Sequence, residues 1–133
     1  MNNKSFLAAL LMGCLAASYA AAENTTIQTH TSNNAQFEQV NSEQHKGNTR
    51  VSGKLTRTRY NSSVAPGHID YQLVNAQGKI LTQGIADYTP ALSLRHWKHG
   101  SDFEFTLPGQ LPAQSVIKLA YHQGNHQSPH LGS

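Results

Sequence analysis

Histidine is the residue type best placed to do chemistry in this chain. There are eight in 133 residues, His30, His45, His68, His96, His99, His122, His126 and His130. They are unevenly spread. Arg95-His96-Trp97-Lys98-His99 holds two, and His122, His126 and His130 recur every fourth residue. A neutral imidazole nitrogen is a good ligand for Zn, Cu(II) or Ni, and several on one row can converge on one ion. Gly124 and Pro129 oppose a preformed helix there, so the tail would have to fold around its ion. His68 and Asp70 form a further constellation. Two apart in an alternating stretch, they share one face of a strand and can share an ion or a proton. His122 falls on the outward side of the closing strand, so it converges on His68 if the two strands are neighbours. The candidate metal ligands are therefore His68, Asp70, His96, His99, His122, His126 and His130. Against this stands the plainer expectation of a solvated, Asn-, Gln- and His-rich chain that picks up ions adventitiously, with His68 and His122 unrelated and facing solvent.

Other chemistry finds little support. The chain has no GxSxG, HExxH, P-loop or dinucleotide-binding pattern. Asp102 and Glu104 alternate with Phe103 and Phe105, so both point outward as solvated strand charges do. A non-catalytic protein is expected. Trp97, the single tryptophan, is either a contact for a ligand or partner or a lid folded back on the core.

The amino terminus reads as an export signal. Lys4 opens residues 1–22, and Phe6 to Ala17 is an apolar run too short for a membrane span but suited to a signal sequence. Ser18-Tyr19-Ala20 or Ala20-Ala21-Ala22 then offers cleavage spacing, giving a mature start at Ala21 or Glu23. The expected location is the periplasm of a bacterial-type envelope. The alternative is lipid anchoring through Cys14, since Leu11-Met12-Gly13-Cys14 resembles the lipoprotein box. Cys14 is the only cysteine, and both methionines, Met1 and Met12, also lie in the leader. After ordinary cleavage the chain has no disulfide, no thiolate site and none of the soft ligands that favour Cu(I). The rest of the chain keeps nine Lys and Arg against seven Asp and Glu. This slight excess, with no basic run, does not suggest nucleic acid as a partner, and no second apolar stretch is long enough for a transmembrane segment.

The elements that must position the histidines are strands. Residues 23–48 are polar, with Ile27, Phe37 and Val40 the only sizeable apolar side chains. They read as a linker with at most one docked strand. Residues 49–122 carry the folded domain. Thr49 to Thr58 is strand-like. His68 to Val74 alternates Ile69, Tyr71 and Leu73 against His68, Asp70 and Gln72. Asn75 to Gly78 turns the chain into Lys79–Tyr88, where the pattern slips at Gly84 as at a bulge. Ser101 to Leu107 points Phe103, Phe105 and Leu107 inward. Ser115 to His122 does the same with Ile117, Leu119 and Tyr121. Residues 123–133 form a His-containing tail with nothing to order it by itself.

Short strands at roughly ten-residue intervals, without a helical period, predict an all-β fold, a small antiparallel sandwich of five to seven strands with disordered flanks. GHIDYQLVNAQGKIL and FEFTLPGQLPAQSVIKLAY resemble hairpins of the small immunoglobulin-like domains of exported bacterial proteins. That resemblance implies a fold that binds, braces or presents rather than catalyses, and it carries over no functional residue. A sandwich of this size without disulfides has a thin core. A strand from the polar linker, self-association, an envelope protein partner or a metal ion is expected to supplement it. Two functions follow as expectations: an accessory protein binding a divalent metal ion, or an interaction module docking on an envelope assembly. A third, a response to pH through the histidines, follows from their charging between about pH 7 and 5.

Overall fold

A computed structural model describes residues 25–58, 66–92 and 99–124, all without helix. Eight strands follow one another: β1 (Thr26–His30), β2 (Ala35–His45), β3 (Asn48–Arg57), β4 (Gly67–Val74), β5 (Ile80–Ala86), β6 (Tyr88–Thr89), β7 (Ser101–Leu107) and β8 (Val116–Gln123). They form two four-stranded sheets, ordered β1-β8-β4-β5 and β2-β3-β7-β6. Every pairing is antiparallel except that of β1 with β8. The expected all-β sandwich is therefore present, with eight strands rather than five to seven.

The two inner faces supply the core by simple alternation. One sheet contributes Ala35, Val51, Leu55, Phe103 and Leu107, and the other Ile69, Leu73, Ala86, Ile117, Leu119 and Tyr121. Tyr71 of one sheet stacks on Phe105 of the other, with ring centroids 4.1 Å apart and planes at 9°. Offset aromatic pairs of this kind add to the burial of their area. The outward face of the second sheet is charged, where Lys54 pairs with Asp102 at 3.0 Å and Arg50 pairs with Glu43.

The polar stretch 23–48 differs from a linker. It supplies two strands, β1 at the edge of one sheet and β2 at the edge of the other. The reason lies in the backbone. Lys46 and Gly47 both adopt positive φ, 51° and 79°, which is the two-residue turn that matches strand twist and closes β2 onto β3. Nine register pairs from Ala35–Arg57 to His45–Asn48 then hold a strand whose side chains are largely polar, with one irregularity between Glu38 and Asn41. Ala35 is fully buried, and Ile27, Phe37 and Val40 pack against the core. Few apolar side chains suffice when the partner strand is already in place.

Gly84 is not a bulge. It sits in regular register opposite Tyr71, and the irregularity of the β4–β5 pair falls instead between Leu73 and Val74. A Cβ at Gly84 would lie 2.6 Å from Tyr71 Cζ. The glycine is there because the ring crosses over it on the way to Phe105. The leader with Cys14, the segment 93–98 with His96 and Trp97, and the tail with His126 and His130 lie outside the described residues.

Candidate functional site

The pairing of β4 with β8 places His68 directly opposite His122. Both strands point their apolar residues, Ile69, Leu73, Ile117, Leu119 and Tyr121, into the core. The intervening positions therefore share the outward face, where His68, Asp70, Ala120 and His122 stand together. The imidazole rings of His68 and His122 lie nearly parallel, at 13°, with centroids 6.1 Å apart. Between them the Asp70 carboxylate divides its two oxygens, with Oδ1 3.1 Å from His68 Nε2 and Oδ2 3.4 Å from His122 Nε2.

Burial sets the electrostatics. The Asp70 side chain has no exposed surface, that of His68 is 7% exposed, and that of His122 is 34% exposed. A carboxylate withdrawn from water is stable only beside compensating positive charge or hydrogen bonds. His68 is oriented by a second contact, its Nδ1 lying 2.9 Å from the carbonyl oxygen of Gly124. A carbonyl only accepts, so Nδ1 carries the proton. In the neutral ring Nε2 is then the lone-pair nitrogen, and it lies against a carboxylate oxygen. That contact is favourable with a cation shared between the two atoms, either a second proton on the imidazole or a metal ion. An imidazole whose remote nitrogen donates to a backbone carbonyl is also the usual arrangement behind a metal-ligating histidine.

Gly67 allows the close approach of β4 and β8 at this end. A Cβ there would strike the His122 carbonyl oxygen and would lie 2.7 Å from the Tyr121 hydroxyl. On the core side, burial pushes that hydroxyl well above the usual tyrosine range, and the neighbouring Tyr88 adds to the effect. The two rings are 6.0 Å apart.

Of the candidate ligands, the fold brings together His68, Asp70 and His122, which supersedes the plainer picture of two unrelated solvent-facing histidines. It does not bring His99 to them. His99 is exposed in the turn before β7, in the opposite sheet. His96, His126 and His130 lie outside the described residues. Among the described residues, no group of three or more His, Cys, Asp or Glu is placed so that it could hold a metal ion as it stands. The geometry gives the reason, because parallel rings 6.1 Å apart address different carboxylate oxygens. Sequence reasoning missed that Asp70 is buried, that Gly124 orients His68, and that His30 stands on the same outward face. Alternation with Ile27 is the signal that could have placed His30.

A groove of about 590 Å³ lies over the other sheet, lined in part by Lys54, Asp87, Tyr88, Asp102 and Glu104. Lys54 is paired with Asp102, and the groove holds no comparable convergence. No protein-family model matches this chain, and no curated protein or solved structure matches it significantly.

Proposed function

We propose that this chain is an exported, non-catalytic β-sandwich of the periplasm, of immunoglobulin-like design, that binds a divalent transition metal ion at His68, Asp70 and His122. One observation carries the reading: a fully buried carboxylate bracketed by two imidazole nitrogens, one of them on a ring held by a backbone carbonyl. Metal–nitrogen and metal–oxygen bonds of about 2.0–2.2 Å in a tetrahedral shell put neighbouring donors roughly 3.3 Å apart. Each Nε2–Oδ separation, 3.1 and 3.4 Å, has that spacing. Closing both onto one ion requires a ring to rotate. His122, a third exposed near the end of β8, is the more accessible of the two rings. Two imidazoles and a carboxylate suit Zn, Cu(II) or Ni.

The test is calorimetric titration of the mature protein with Zn(II), Cu(II) and Ni(II), beside His68→Ala, His122→Ala and Asp70→Asn. One ion per chain should bind, each substitution should weaken binding at least tenfold, and a chain ending at Gly124 should retain it. Uptake should also fall in acid, because a protonated imidazole has no lone pair to give to an ion. Affinity no tighter than that of an unstructured histidine-containing peptide would discard the metal reading.

A second reading then takes its place. Ile80, Leu81 and Ile85 are the large exposed apolar side chains of the described residues, and all lie on β5, an edge strand. An edge of this kind accepts an added strand from a partner.

A further inference from the structure

The edges of the two sheets are not alike. β6 is two residues long and runs into Pro90, which has no amide proton to give. β2 carries Glu38 and Glu43 and breaks register between Glu38 and Asn41. β1 is short and, apart from Ile27, polar. Each of these features discourages further pairing. β5 is different. From Ile80 to Ala86 it has no charge and no proline, and its irregularity against β4 is confined to its first end. Leu81, Gln83 and Ile85 are exposed, Thr82 and Gly84 are half-buried, and Ala86 is buried. The first three therefore share the outward face.

β5 and its flanks are also complementary to themselves. Let an antiparallel copy be related by a two-fold axis passing at Gln83. Leu81 then comes opposite Ile85 of the second copy, and Lys79 comes opposite its Asp87. Both pairings occur twice, as two-fold symmetry requires. Lys79 and Asp87 are exposed, and neither has an ion pair among the described residues. Moving the axis by one residue sets Lys79 against Ile85, or Asp87 against Leu81. The charges thus select the register that also joins the apolar side chains.

We propose that β5 pairs with β5 of a second copy of this chain, antiparallel about Gln83, so that two four-stranded sheets become one continuous sheet. The inference rests on the reading of β5 as an open edge and is independent of the metal site. Main-chain hydrogen bonds extend the sheet. The Leu81–Ile85 pairs cover apolar surface that a single chain leaves to water, and the Lys79–Asp87 pairs fix direction and register. One strand pair is a small interface, so the association is weak and reversible.

The experiment is sedimentation velocity of the mature protein from low micromolar to near-millimolar concentration, beside Lys79→Glu and the double variant Lys79→Glu with Asp87→Lys. Amide hydrogen exchange is followed on the same samples. Wild type should pass from monomer to dimer. Lys79→Glu sets two carboxylates opposite each other at both ends and should weaken the dimer roughly tenfold. The double variant restores opposite charges and should recover wild-type association. Amides of β5 that are not bonded to β4 should gain protection as wild type dimerises. A dimer indifferent to Lys79→Glu would overturn the proposed pairing. A wild type that stays monomeric while those amides exchange fast would overturn the second copy and leave β5 an open edge for another partner. A monomer in which they are already protected would overturn both.

Discussion

Tyr121 puts a phenol hydroxyl into the interior beside the β4–β8 seam, 6% exposed and close to Gly67. Burial first, and then Tyr88, raise its ionisation above the ordinary value of about 10. The folded state therefore keeps a proton that the unfolded chain has lost. Its contribution to stability is complete below about pH 10 and disappears as pH rises above it. Urea unfolding at pH 8 and pH 11 should show wild type losing more stability across that interval than Tyr121→Phe. Equal losses would mean that the hydroxyl ionises without opening the seam. Asp70 poses the converse problem, a carboxylate held away from water, and the same seam supplies its answer as two imidazoles. Neither residue announces its burial locally. GHIDYQLV reads as alternation with Asp70 on the polar side, and that parity is right, but a polar face is a solvated face only where nothing lies over it.

At the scale of elements, the alternating segments were legible because side-chain direction in a strand has a period of two whatever its neighbours are. Ile69, Leu73, Phe103, Leu107, Ile117, Leu119 and Tyr121 all point where that period puts them. Gly84 was not legible, since a glycine in a strand signals a bulge or a close approach equally well. The choice depends on the partner residue, which is Tyr71. Gly84→Ala should destabilise the protein by about 1–3 kcal/mol, because the new methyl meets a ring already stacked on Phe105. Tyr71→Leu should remove most of that penalty while costing the stack. A double-mutant cycle read by denaturant unfolding would show the coupling, and additive effects would exclude the contact.

For the whole molecule, the thin core expected of residues 49–122 is supplemented from within the chain. β2 covers one edge of β3, and β1 covers one edge of β8. Removing both uncovers two strand edges and takes away Ala35, Phe37, Val40 and Ile27. A chain beginning at Thr49 should therefore fail to unfold cooperatively, with poor dispersion of its amide resonances. A protease-resistant fragment starting near Thr49 would contradict this and return 23–48 to the status of a linker. Polarity misleads here because it measures what a segment can bury alone, whereas β2 adds to a surface that β3 and β7 have already built.

The sequence by itself determined the all-β class, the strands of residues 49–122, their inward-facing residues, and the unusual supply of histidine. Each of these is a property of composition or of a period read along a few residues. Only the tertiary structure decided that β4 lies beside β8 in a register setting His68 opposite His122, that Asp70 is closed off between them, and that β1 brings His30 to the same face. These are distances between residues forty to ninety positions apart in the chain. They follow from which strands share hydrogen bonds and with what offset, and a one-residue change of that offset would send the shifted strand's side chains to the opposite face.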